Sequence, residues 1–258
     1  LSAWFLVMYL VELGKTILQI AREIPCNYLT AFRIARIIRK REIKLEEGRR
    51  LSGIIEADEI YQTAGHKSGR PIENSGAMNR PARCRGKKKG PGRGSAQKDS
   101  PVIEGMVSRQ GEVIVEVLPD VKEETLRPVF EKSVEKGSTV YTDTASCYSF
   151  LKKAGYNHET VNHSQKEYVR GDVHQNRAEN LWLFWLLFIL PFLGVAQQYL
   201  HDYAKVFQFQ RNHRNLTALG RVMFVLNSLL HDIENEGSIL KNPCISILSS
   251  PQICYSGG

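Results

Sequence analysis

Apolar residues recur at helical spacing through the first fifty positions and at alternate positions after Leu51, so the chain changes texture there. Ser2 to Leu13 reads as a short apolar helix. Thr16-Ile17-Leu18-Gln19 matches a capping box, in which the Thr hydroxyl and the Gln side chain satisfy reciprocal orphan amides. Ile20, Ala21 and Ile24 follow at helical spacing. Pro25 cannot continue that helix, and Asn27 is a good N-cap for the next. Ala31, Ile34, Ala35 and Ile38 form an i, i+3, i+4, i+7 stripe, with Arg33, Arg36 and Lys40 on the remaining faces. Two short capped helices joined by a tight turn, the second strongly basic, have the layout of a helix-turn-helix, whose second helix would enter a major groove. An ordinary helical hairpin with a solvated basic face shares that layout.

The pattern then turns to strands. Ile54 to Ile60 is a short apolar strand with acids embedded in it, and Val102–Ser108 with Glu112–Leu118 read as a β-hairpin. Asp120 and Glu123 open a helix whose buried side is Leu126, Val129, Phe130 and Val134, and Gly137 ends it. Ser138 to Thr142 is another strand, delivering Asp143 at its C-terminal end. A helix near 145–153, a strand near 158–162 and a largely helical stretch over 175–212 complete the order. The sequence therefore predicts a mixed α/β layout with one central sheet.

Composition excludes disorder as a description of the whole: 42% of the residues are hydrophobic and 24% charged. The net charge of +8 is concentrated. Ten Lys and Arg lie between residues 60 and 100 against Glu73 and Asp99 alone, in a stretch with seven Gly and three Pro. Such a segment buries no core; it reads either as a mobile, solvated linker or as a salt-sensitive phosphate-binding arm, with Lys87, Lys88, Lys89 and Arg93 at its centre. The apolar run from Leu181 to Ala196 is broken by Pro191 and Gly194 and falls short of the ~20 residues of a spanning helix. It predicts a buried helix or a partner-facing surface, not a membrane protein. Five Cys sit singly with no Cys-x-x-Cys pair, which argues against a zinc ribbon or a disulfide framework and favours a reduced, intracellular setting. The chain begins at Leu1 and reads as a fragment of a longer protein.

Asp58 and Asp143 stand at or near the ends of apolar strands, where a lone carboxylate costs several kcal/mol unless a cation or hydrogen bonds compensate it. Glu179, just before the apolar run, is a third candidate. Three carboxylates gathered from two strands and a helix would make an oxygen-rich site for Mg²⁺ or Mn²⁺. Two such ions about 3.5–4 Å apart serve phosphodiester chemistry. Strict alternation puts Glu56 and Asp58 on one face of their strand and Glu59 on the other.

The segments IIEADEIY, YTDTASCY and VNHSQKEYVRGDVHQNRAENLW, in that order, resemble the DDE transposases of insertion sequences, in the branch that includes ISXO-type elements and the eukaryotic Merlin elements. The resemblance spans most of residues 1–215. Thirty-five residues separate Asp143 from Glu179, the spacing behind the D,D-35-E label of many such enzymes. It implies a ribonuclease H-like domain over 51–215 with a basic Gly-rich insertion at 62–100, after a helix-turn-helix over 1–50 and before a tail at 216–258. It also implies two divalent metals, Mg²⁺ or Mn²⁺, held by Asp58, Asp143 and Glu179 as catalytic acids. Strand cleavage at the terminal inverted repeats and transfer into target DNA would follow, carried out by a homodimer or larger assembly. Some relatives use Asn at the third position, which keeps Asn176 in reserve; His163 and Tyr168 resemble recurrent family positions that orient DNA, support the metal site or simply hold their loop. A transposase would work on cytoplasmic, nucleoid DNA in a bacterium and in the nucleus of a eukaryote.

Two departures stand out. Relatives commonly carry Lys or Arg about two turns beyond the third acid, where this chain has Leu186, and many carry a zinc-binding segment upstream of the helix-turn-helix. A catalytically impaired or domesticated DNA-binding remnant is therefore the alternative to an active transposase, with a structure-specific nuclease on the same core as a third reading.

Overall fold

A computed structural model of the chain describes residues 2–64, 99–161 and 176–236. Its centre is strand β1 (Ile54–Tyr61), flanked by β2 (Val102–Ser108) on one side and β4 (Thr139–Asp143) on the other. With β3 (Val113–Leu118) and β5 (Asn157–Val161) at the edges, the order is β3-β2-β1-β4-β5. The β1, β2 and β3 strands run antiparallel in succession, whereas β4 and β5 run parallel to β1 and to each other. This mixed five-stranded sheet is the arrangement expected of a ribonuclease H-like core, and the predicted succession of elements along the chain holds through β5.

Both faces of the sheet are covered, which is why β2 is buried at every position. Helix α4 (Glu123–Ser133) and the short α5 (Phe150–Lys153) lie over one face, where Leu126, Phe130, Phe150 and Leu151 join Ile55, Ala57, Val102, Met106 and Val140. Where a single helix is expected near 145–153, a 3-10 turn at Ser146–Tyr148 precedes α5. The opposite face is covered by α6 (Asn176–Ile189) and α7 (Gln197–Asn212), through Leu181, Trp182, Trp185, Leu200 and Phe207 over Ile103, Val107 and Val115. Pro191 lies in the 3-10 turn that follows α6, and among the described residues no helix is long and apolar enough to cross a membrane.

The outer edge of β3 is capped by side chains of α7. Asn212 accepts from the Val113 amide at 2.8 Å and donates to the Val113 carbonyl at 2.9 Å, while Gln208 accepts from the Val115 amide at 3.0 Å. These amides stand in for a neighbouring strand and close an edge that would otherwise invite pairing. Gln208 and Asn212 also donate to the buried carboxylate of Glu46, which pairs with Arg49 at 2.9 Å.

The chain divides into two compact units, Leu1–Arg41 with Arg214–Gly258, and Glu42–His213. In the first, α1 (Ser2–Glu12), α2 (Ile17–Glu23) and α3 (Tyr28–Glu46) follow the predicted pattern. The Thr16/Gln19 capping box is formed on both sides, and Asn27 caps α3 by accepting from the Thr30 amide at 2.8 Å. Ala31, Ile34, Ala35 and Ile38 are all buried. Beyond residue 216, where sequence reading offered only a tail, Ala218–Glu236 forms α8. It is tied to α1 by Arg221 on the Glu12 carboxylate and to α3 by Arg41 on Ser228, with Arg41 Nε donating to Ser228 Oγ at 3.0 Å.

Candidate active site

The β1–β4 pairing places Glu56 beside Tyr141, so two residues further along the parallel strands Asp58 and Asp143 stand at the same level. Both are half-buried. Asp143 ends its strand, and its Oδ1 accepts from the Ala145 amide at 2.9 Å, which holds the carboxylate at the mouth of the following turn. The pKa of Asp58 is pushed up to about 6, first by burial and then by the negative charges of Glu59 and Asp143. Two neighbouring carboxylates in a half-buried setting form a donor set suited to a hard divalent cation, which would offset the charge that raises the Asp58 pKa.

Helix α6 lies along β1 and is fixed at three points, two on the strand and one on the residue that follows it. The Arg177 amide donates to Glu56 Oε2 at 2.8 Å, Trp182 Nε1 to Asp58 Oδ2 at 2.9 Å, and Trp185 Nε1 to Gln62 Oε1 at 2.9 Å. Glu56 thus caps the helix from a neighbouring strand, with its negative charge at the positive end of the helix dipole. Its other oxygen faces Arg109 Nε at 3.3 Å. As alternation predicts, Glu56 and Asp58 share the α6 face of β1. The sequence left open whether Glu56 competes with Asp58 for the same chemistry; its fully buried carboxylate is instead engaged with α6 and Arg109.

Glu179 lies one turn before Trp182, on the exposed flank of the same helix, and Asn176 opens the helix at an exposed position. Among the described residues no group of three or more His, Cys, Asp or Glu side chains is assembled as a metal cage. The fold therefore brings Asp58 and Asp143 together, while Glu179 does not close a third side on them. Leu186, two turns beyond Glu179 on the same flank, is 51% exposed and belongs to an apolar strip with Leu183 and Leu190. His163, Tyr168, Lys87, Lys88, Lys89 and Arg93 lie outside the described residues. Arg33, Arg36 and Lys40 are exposed on α3, and Lys44 continues their line at the same spacing.

Sequence reasoning missed a second acidic group behind the first. On the α4 face of β1, Glu59 stands directly across from Glu104 of β2, and the Tyr148 hydroxyl lies 2.7 Å from Glu59 Oε2 and 3.1 Å from Glu104 Oε2. A phenol has one proton to donate and cannot serve two carboxylates, so one carboxyl must carry a proton of its own. Burial, followed by the charge of Glu59, pushes the pKa of Glu104 well above its ordinary range, which favours its protonated form. Tyr148 closes YTDTASCY, so its motif was visible in the sequence; its partners, 89 and 44 residues away, were not.

Comparison with known proteins agrees with this architecture. Residues 50–212 match the family model described as the ISXO2-like transposase domain. A Halobacterium salinarum protein, described as an uncharacterized protein in transposable element ISH50, is 31% identical over 215 residues, covering 82% of this chain and 69% of its own. A Haemophilus influenzae transposase-like protein is 27% identical over 100 residues, covering 39% of this chain and 80% of its own. Among solved structures, a pre-cleavage Mos1 transpososome aligns at 12% identity with a TM-score of 0.28, covering 83% of this chain and 74% of that one. The Mos1 mariner paired end complex with Mn aligns at 11% identity with a TM-score of 0.29 and the same coverage. The family match spans Asp58 within β1, Asp143 at the end of β4 and the helix that carries Glu179, and on it this chain belongs to the ISXO2-like family of DDE transposase domains.

Proposed function

We propose that the chain is a metal-dependent DNA transposase that cleaves phosphodiester bonds at element ends and joins them to target DNA. The observation that carries this reading is the closeness of Asp58 and Asp143, two residues beyond the Glu56–Tyr141 pair of adjacent parallel strands, in a setting where burial and the charge of Asp143 both penalise an ionised Asp58. Asp58 and Asp143 would hold Mg²⁺ or Mn²⁺, with Glu179 as the third acid of the set. Bound divalent ions supply an activated hydroxyl nucleophile and a stabilised leaving oxygen. The protein's own part is to orient: Trp182 and the Ala145 amide fix the two aspartates, and Glu56 fixes the start of α6. The exposed line Arg33, Arg36, Lys40 and Lys44 supplies phosphate contacts on one helix face, consistent with α2 and α3 acting as a helix-turn-helix. Two or more copies would act on paired ends.

The test is cleavage of a labelled terminal-repeat oligonucleotide with Mg²⁺ or Mn²⁺. Asp143→Asn is expected to lower the rate by roughly 10²–10³-fold or more, the scale on which loss of one electrostatic stabiliser acts. Metal-dependent cleavage that survives the substitution ends this reading.

A second reading, a DNA-binding remnant without turnover, is favoured by one observation: the flank beyond Glu179, where relatives carry a cation, presents exposed Leu186. It predicts salt-sensitive DNA binding through α3 with no metal-dependent product.

A further inference from the structure

The strand opposite Asp58 carries no side chain where one would be expected. Asp58 pairs with Gly105 of β2, and a Cβ built there would lie 2.7 Å and 2.9 Å from the Trp182 ring and 2.8 Å from Leu181. Glycine in the interior of a buried strand weakens it and marks a place where something must approach closely. What approaches is the Trp182 indole, 8% exposed, whose Nε1 reaches Asp58 Oδ2 at 2.9 Å. Any larger residue at 105 would lift α6 from the sheet and draw that N–H off the carboxylate. The same helix carries Glu179 one turn earlier, so α6 cannot slide along β1 without breaking the contact to Asp58.

We propose that Trp182, seated on Gly105, is a positioning residue for the metal-binding acids: its indole N–H fixes the Asp58 carboxylate in one orientation and locks to it the helix bearing Glu179. This rests on the transposase reading for the role of Asp58. An indole is rigid and donates one hydrogen bond in its ring plane, so it can orient a carboxylate without neutralising it. Outer-shell donors to metal-binding carboxylates typically change metal affinity by about 10–100-fold.

Trp185 supplies a matched control. It is fully buried on the same helix, and its indole N–H makes an equivalent 2.9 Å bond, but to Gln62, away from the acids. Mn²⁺ binding to the full chain is followed by the loss of the free-ion electron paramagnetic resonance signal, in parallel with the Mn²⁺ dependence of oligonucleotide cleavage. Trp182→Phe is expected to weaken Mn²⁺ binding by about 10–100-fold. The Mn²⁺ concentration that gives half-maximal cleavage should rise by a similar factor. Trp185→Phe should leave Mn²⁺ binding within about threefold while losing comparable stability.

Equal Mn²⁺ affinity in the two variants overturns the proposal, as does a parent protein that binds no Mn²⁺. A parent that binds Mn²⁺ without cleaving DNA, with binding weakened only by Trp182→Phe, upholds the positioning role and sinks the transposase reading instead. Should Trp182→Phe not fold, Trp4→Phe/Trp185→Phe leaves Trp182 as the one tryptophan of the chain. Its emission must then change on Mg²⁺ addition, and an unchanged spectrum at saturating Mg²⁺ overturns the proposal.

Discussion

Two pairs of carboxyl groups stand back to back across β1, and the sheet treats them oppositely. Asp58 and Asp143 on the α6 side are half-buried and repel one another. Glu59 and Glu104 on the α4 side meet at a fully buried phenol, with Glu104 itself sealed from solvent. Both pairs raise a pKa by burial and by like charge. The sealed pair has solved its charge problem internally, with a retained proton and the Tyr148 hydroxyl. Among the described residues the open pair is given no such internal partner for its combined charge, because the indole N–H on Asp58 orients the carboxylate and leaves the negative charge in place. Similar chemistry is thus sealed on one face of a strand and left open on the other, and accessibility makes the difference.

The largest effect should come from breaking the sealed pair. Tyr148→Phe removes the hydroxyl that bridges Glu59 and the fully buried Glu104 and leaves both carboxyl groups without that donor, which should cost about 3 kcal/mol in urea unfolding. Glu104→Gln should cost far less, because the native group is already neutral and the amide keeps a donor and an acceptor. Its sign also depends on pH. The folded-state pKa of Glu104 lies above its ordinary value, so its contribution to stability is complete below about pH 4.5 and is lost as pH rises through the folded value. Glu104→Gln should therefore gain on the parent as the solution becomes alkaline. Equal losses in the two variants would show that the cluster is held by packing and not by its proton.

The open pair should respond in the opposite sense. At pH 8, without divalent metal, Asp58→Asn should stabilise the protein by about 2 kcal/mol, since an Asp58 pKa of about 6 against an ordinary 3.8 means that its ionised form opposes folding. At pH 4 Asp58 holds a proton in the folded protein, so most of the gain should vanish. Saturating Mg²⁺ should stabilise the parent by about 1–3 kcal/mol at pH 8, lose that effect below pH 6 as protons displace the ion, and do nothing for Asp58→Asn. A thermal-shift series over pH and Mg²⁺ reads all three. An Mg²⁺ effect that persists at pH 5 would place the ion elsewhere.

These two sites were unequally legible in the sequence. The period-two pattern of IIEADEIY was enough to put Glu56 and Asp58 on one face and Glu59 on the other, because a strand's geometry leaves no other choice. The strand order followed from hydrophobic alternation and turn residues. Glu104 was invisible, because a single acid in VIEGMVS looks like a solvent-facing position until a tyrosine forty-four residues later is folded over it. Gly105 beside it did carry a signal, a glycine in mid-strand, but only the position of Trp182 explains it. Helix α8 was missed although ALGRVMFVLNSLL is rich in apolar residues; among the described ones only Val222 and Val225 are buried. Its attachment depends on Arg221 and Arg41 reaching distant partners.

The smallest expected effect on stability bears most directly on what the open side lacks. Leu186 is exposed and shares its flank of α6 with Glu179, so replacing it with Arg removes little buried apolar surface and should change stability by less than about 0.5 kcal/mol. If the open pair serves DNA chemistry, an added guanidinium two turns beyond Glu179 would meet a phosphate of the bound strand. Leu186→Arg should then strengthen terminal-repeat binding severalfold and steepen the slope of log affinity against log salt by about one. The gain should survive Asp143→Asn, because phosphate binding does not require the metal acids. Matched salt titrations of parent and variant decide it. An unchanged slope would mean that DNA does not run along this flank, and that the apolar strip of Leu183, Leu186 and Leu190 faces something other than a phosphate backbone.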